Sequence, residues 1–188
     1  MTHISLRLLI FLGAAPALYA LDLTPSEASR DLEGEKVPVT LFKDGPYTVT
    51  WQAPWAITGG GKRISLLPPT PQSSVSLEVR SMKESEIPPD SAPAPEILEK
   101  WAAPFLRQDA TEIVPIKTIR GSYQLNSQPS KEYIFSYLSQ SRRFTTSASF
   151  VDLNDKERVF VVITAPSSVF EPIHAEAVSS LFRMEWSR

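Results

Sequence analysis

Residues 159–164 read Val-Phe-Val-Val-Ile-Thr, and no other feature of this chain limits its fold so tightly. Successive side chains of a strand point to opposite faces, so a run with no polar residue before its last position has no face to give to water. Such a strand belongs at the centre of a sheet that is covered on both sides. Its companions alternate instead. Residues 131–139 put Tyr133, Phe135 and Tyr137 on one face and Ile134 and Leu138 on the other, while residues 143–153 gather Phe144, Thr146, Ala148 and Phe150. Residues 75–82 align Val75, Leu77 and Val79, and residues 47–52 align Tyr47, Val49 and Trp51. Period-two patterns of this kind describe half-buried antiparallel strands.

Turn chemistry separates these segments. Asp44-Gly45-Pro46 divides residues 39–42 from 47–52, and Asn154-Asp155-Lys156 precedes the apolar run. Residues 64–67 suit a short strand that Pro68 and Pro69 end. Residues 112–120 read as a strand in which Pro115 marks an edge or a bulge. The loop of residues 84–95, with Pro88, Pro89, Pro93 and Pro95, reads as extended and stiff.

Two helices are expected. The first starts near Pro95, carries Ile97, Trp101 and Phe105 as one apolar stripe, and kinks at Pro104 or stops near Ala102. The second follows Ala165-Pro166-Ser167-Ser168, whose hydroxyls suit capping. It buries Phe170, Ile173, Ala177 and Leu181, leaving Glu171 and Arg183 outside. Hairpins plus two helices predict an α+β class, with a central, mostly antiparallel β-sheet flanked by helices in an α/β/α sandwich.

The front of the chain reads as an address. Residues 8–21 hold no charge, after Arg7, and a helix spanning a bilayer needs about 20 apolar residues. A run this short followed by small residues is the pattern of a secretory signal, residues 1–20, cleaved after Ala20 or, by the Ala15-Pro16-Ala17 pattern, after Ala17. The polar segment 21–38 is expected to be a flexible or loosely docked lead-in, and residues 39–188 a single domain. The chain has no cysteine, so no disulfide, thiolate metal site or cysteine nucleophile is available to it.

The strand Tyr47-Thr-Val-Thr-Trp51 runs into Pro54-Trp55. Gly121 precedes Tyr123 and the aromatic strand from Tyr133, and residues 159–166 lead to Phe170 and Ser180-Leu181-Phe182-Arg183. This order of anchors, over residues 39–183, resembles the PsbP/DcrB-like fold group, which includes an extrinsic photosystem subunit, bacterial envelope proteins and a Ran-binding import factor. The proline-rich insert at 84–95 is longer than that pattern has. The resemblance implies the same sandwich and a non-catalytic binding or assembly role, and it carries no site residue with it.

Chemistry-bearing groups are few. His174 is the one histidine beyond the leader. A Ser/His hydrolase would need it, but no Gly-x-Ser-x-Gly elbow is present, and its place beside Phe170 and Ile173 suits a ring at the core margin. Asp152, Asn154 and Asp155 lack the glycine of a calcium loop and fit a hairpin turn better. Gly59-Gly60-Gly61-Lys62-Arg63 lacks both the spacing and the hydroxyl of a P-loop, leaving a flexible turn or a backbone cradle for an anion. Trp55, just after a proline and near Lys62 and Arg63, is the candidate binding anchor, against the alternative of packing under a helix. Arg142-Arg143 is a second basic spot, otherwise the solvated start of a strand.

No metal or cofactor is expected. A formal charge of -2 with both signs mixed gives no case for nucleic acid. The expected function is that of an exported, non-enzymatic binding or assembly module of the bacterial envelope. It would be secreted or periplasmic, with another envelope protein as partner and no stable membrane insertion after cleavage. The alternatives are a periplasmic small-ligand carrier or a Ser/His174 hydrolase.

Overall fold

The computed structural model describes residues 23–32, 34–44, 47–51, 55–81, 84–87, 99, 101–125, 128–152 and 157–181. Residues 1–20, the expected leader, the prolines of residues 88–95 with the expected helix start, the turn 154–156 and Arg183 lie outside these residues.

Seven strands form one antiparallel sheet: β4 (Ala56–Gly60), β5 (Arg63–Leu67), β6 (Ser74–Ser81), β7 (Thr111–Leu125), β8 (Gln128–Ser139), β9 (Arg142–Asp152) and β10 (Glu157–Pro166). Their order is β4-β5-β6-β10-β9-β8-β7, which places β10 in the middle. Val161 pairs with Leu77 on one side and Ser149 on the other. Every residue of 158–165 is buried. Val159, Val161, Ile163 and Ala165 join one apolar cluster and Phe160 and Val162 the other, as an all-apolar central strand requires.

The first cluster lies under helix α1 (Phe170–Leu181), which seats Phe170, Ile173 and Ala177 on β10 beside Ile64, Leu66, Val75 and Leu77. Pro172 falls in the first turn, where a missing N–H breaks no bond. A 3-10 turn, Ser167–Val169, leads into the helix. Of the two hydroxyls offered as caps, that of Ser167 pairs instead with β9, its Oγ standing 2.8 Å from Thr145 Oγ1. The second cluster is aromatic. Trp101 lies 4.8 Å from Tyr133 between ring centroids, and Phe105 stacks on Phe160 at 5.5 Å.

On this second face the described cover is the end of the expected helix. Helical backbone at Glu99, Trp101 and Ala102 gives way to a 3-10 turn, Ala103–Phe105. Pro104 explains the change, because within an α-helix its ring would clash with the preceding turn. Among the described residues the sheet therefore carries helix α1 on one face and, on the other, the helical backbone at Glu99, Trp101 and Ala102 with its 3-10 turn, and the sandwich is seen in part.

Two further differences concern the front of the chain. Residues 25–32, expected in a flexible lead-in, form β1 (Pro25–Leu32). This strand pairs along its length with β2 (Glu35–Asp44), which in turn pairs with β3 (Tyr47–Trp51). Backbone hydrogen bonds do not require apolar side chains, and the turn is closed by Gly34, whose N–H donates to Asp31 Oδ1 at 2.9 Å. The opening hairpin thus belongs to a three-stranded sheet of its own rather than to the central one. Pro115 meets both expectations. Its strand, β7, is an edge strand, and the β7–β8 register shifts on either side of Val114-Pro115.

Candidate functional site

The structure does not bring Trp55 together with Lys62 and Arg63. Trp55 is 5% exposed and sits in the cluster beneath α1, where its indole N–H donates to Glu176 Oε1 at 3.1 Å. Of the two readings of Trp55, an anchor at the rim and packing under a helix, the structure shows the second: its ring is packed beneath α1, and its polar edge finds a helix carboxylate. Lys62 and Arg63 lie exposed at the far end of β4, where Gly60 pairs with Arg63. Arg63 Nε stands 3.7 Å from Glu78 Oε2, a carboxylate held more closely by Arg80 at 2.8 Å.

The glycine turn has a structural task. The front of the chain docks on it: Leu23, fully buried, donates its N–H to Gly61 O at 2.6 Å, and the Gly61 N–H donates to Thr24 Oγ1 at 3.3 Å. A Cβ on Gly60 would stand 3.3 Å from Thr24 Oγ1. Gly59 has φ +98°, and a Cβ there would meet Arg63 O at 2.6 Å. Gly61 thus spends its amide on the protein's own segment rather than on an anion. Gly59→Ala is expected to destabilise the fold by at least ~2 kcal/mol, from the left-handed backbone and the clash with a carbonyl, as measured by urea unfolding.

The polar centre of the molecule lies elsewhere, between α1 and the sheet. Glu132 on β8 is fully buried, and His174 Nε2 lies 2.6 Å from its Oε1. The hydroxyl of Ser147, on β9, donates to that same oxygen. Ser149, opposite Glu132 in the register, buries a hydroxyl with no hydrogen-bond partner among the described residues. The His174 ring, its side chain 17% exposed, lies tilted 5.2 Å from Phe170 at the core margin, as its place in the sequence suggested.

This geometry is not that of a Ser–His–acid triad. In a triad the imidazole stands between serine and carboxylate, so that it can take the serine proton. Here the carboxylate stands between serine and imidazole. The arrangement instead ties the helix to the sheet: His174 reaches β8, and Glu176, two residues on, reaches Trp55 before β4. Sequence reasoning missed Glu132, although a signal exists, since it falls two positions before Ile134 on an inward face.

Arg142-Arg143 opens β9 at the end of the sheet where β8 turns back. Arg143 Nη2 pairs with Glu112 Oε2 at 3.1 Å, and Arg142 Nη1 donates to Gln72 Oε1 at 2.9 Å. Arg107 joins them, donating from Nη2 to the backbone oxygen of Gln72 at 3.1 Å and lying 4.2 Å from the centre of the Phe144 ring. Asp109 accepts from Ser139 Oγ at 2.7 Å and from the Gln140 N–H at 3.0 Å. The Ser139 hydroxyl is the main reason its carboxyl is held below the usual range. Desolvation opposes the shift, and the Gln140 amide and the Arg107 charge add to it. A lowered carboxyl supports the turn at neutral pH, and that support is lost as pH falls through the lowered value. Beneath Arg107, burial pushes the Tyr137 phenol up, against the influence of Thr146 and Arg107.

Among the described residues, no three His, Cys, Asp or Glu side chains gather as a metal site, and no helix is long and apolar enough to cross a membrane. No family model and no curated protein sequence matches the chain. Solved structures do resemble it. Cyanobacterial PsbP (CyanoP) from Synechocystis sp. PCC 6803 is 10% identical with a TM-score of 0.46, over 93% of this chain and 99% of its own. The Saccharomyces cerevisiae Ran-binding protein Mog1p is 8% identical with a TM-score of 0.42, over 82% and 85%. PA94 from Pseudomonas aeruginosa, a protein of unknown function, is 13% identical with a TM-score of 0.41, over 76% and 95%.

Proposed function

We propose that the chain is an exported, non-catalytic binding or assembly module of the bacterial cell envelope, acting on another envelope protein. One observation carries the non-catalytic part. His174, the only histidine beyond the leader, is committed to a buried carboxylate that also takes the hydroxyl of Ser147. A general base must face the proton it removes, and this one faces a structural partner. The leader at 1–20 supports export, to the periplasm or beyond, and the resemblance of the sequence to the PsbP/DcrB-like group supports a binding role.

The test is affinity capture with the tagged full chain from an envelope fraction, alongside an esterase and peptidase screen of the purified protein. The expected result is an enriched envelope protein, a mature chain that begins at Leu21 or Leu18, and no hydrolysis that depends on His174. Hydrolysis abolished by His174→Ala in a folded variant, or no enriched partner, overturns the reading.

A further inference from the structure

All four non-glycine residues with positive φ among the described residues stand at one end of the large sheet: Gln72 (63°), Glu112 (50°), Gln140 (49°) and Ser141 (61°). Gln140 and Ser141 form the two-residue turn between the paired Ser139 and Arg142. A hairpin turn with two such residues is ordinarily built from Asn-Gly. Here neither position has the residue that would relax it, and Asp109 pins the turn from outside. Backbone strain of this kind persists only where the surroundings over-determine it, and it gathers at sites that bind.

The side chains at this end share one character. Arg107 and Arg142 converge on the two amide oxygens of Gln72, which carry no charge to neutralise them. Phe144 lies beneath the Arg107 guanidinium and fixes its plane, and Arg143 stands alongside with Glu112. A planar guanidinium has five N–H donors in a fork that matches a carboxylate, and a fork held in place loses little freedom on meeting one.

We propose that Arg107, Arg142 and Arg143, set around Gln72, form the docking corner for an acidic peptide segment of the partner protein. This deepens the binding-module reading and rests on it. A single extended strand is favoured over a membrane surface or nucleic acid. The chain as a whole has a formal charge of -2, and Asp109 and Glu112 flank the arginines. A dense anionic surface would meet those carboxylates, whereas the spaced charges of a peptide can pass between them.

The test uses the mature full chain and a fluorescein-labelled peptide alternating Glu and Ser, with a Gln/Ser peptide as control, read by fluorescence anisotropy. Saturable binding of the acidic peptide alone is expected. Arg142→Gln should weaken it about tenfold, the equivalent of one charge-assisted hydrogen bond. Arg107→Lys, which keeps the charge but not the fork, should also weaken it. Lys62→Gln, at a different turn, should leave it unchanged. Circular dichroism of each variant confirms folding.

Equal binding by wild type and both arginine variants, or equal weakening by Lys62→Gln, overturns the proposal. So does tighter binding to phosphatidylglycerol vesicles than to the peptide. If Arg142→Gln loses the peptide yet still captures the envelope partner, the corner is wrong while the module reading stands. If the wild-type chain captures nothing, that reading fails first.

Discussion

Phe160→Ala is expected to cost about 3–5 kcal/mol, a large part of the ~5–15 kcal/mol by which a domain is usually stable. Phe160 is fully buried, stacks on Phe105 at 5.5 Å and meets Phe150 across the β10–β9 pair at 5.6 Å. Its removal leaves a cavity between the sheet and the turn that carries Phe105, beneath the Arg80 guanidinium, which lies 5.6 Å from the ring centre. Ile116→Ala is the control: the residue is apolar but 54% exposed on an edge strand, so the change should stay within about 0.5 kcal/mol. Urea unfolding read by the midpoint at constant slope checks both. A loss below ~1 kcal/mol at Phe160 would mean that β10 does not carry the core.

Glu132→Ala is expected to be of similar size, about 3–5 kcal/mol, for a different reason. The oxygen that accepts from Ser147 and His174 disappears, and both are stranded under α1. Glu132→Gln keeps an acceptor and the shape, so it should cost less, about 1–3 kcal/mol. The two changes separate loss of charge from loss of the acceptor. A double-mutant cycle of Glu132→Gln with His174→Gln should show a coupling of ~0.5–3 kcal/mol. Coupling near zero would show that the contact does not hold the helix, and the structural role given to His174 would fall with it.

The faces of β8, β9 and β10 were readable because period-two alternation is local: a residue's side follows from its neighbours alone. Tyr133, Phe135 and Tyr137 on one layer and Ile134 on the other need nothing more. The end of the first helix was readable for the same reason, since Pro104 acts on the turn in which it sits. The partner of Trp55 was not readable, although packing under a helix was one of its two readings. That partner, Glu176, is 121 residues away, and a proline that ends pairing does not say where the chain goes next. Glu132 depends in the same way on a helix 42 residues later. β1 escaped because its hairpin rests on main-chain bonds and one Asp–Gly turn, which leave no hydrophobic trace. The Arg142-Arg143 pair was visible, but Arg107 and Gln72, which give it shape, reach it only through the packed sheet.

The position of β10 bears on how the chain assembles. Of its two neighbours, β6 ends at Ser81 and β9 begins at Arg142, and among the described residues no other strand joins the runs β4–β6 and β7–β9 into one sheet. Synthesised from its amino end, the polypeptide holds two separate meanders, each with a raw flank open to pairing. Only when residues 157–166 emerge can the gap close, and the cost of bringing distant pieces together falls on that single late step. A truncation before residue 157 would therefore leave two adhesive halves rather than a smaller version of the same protein.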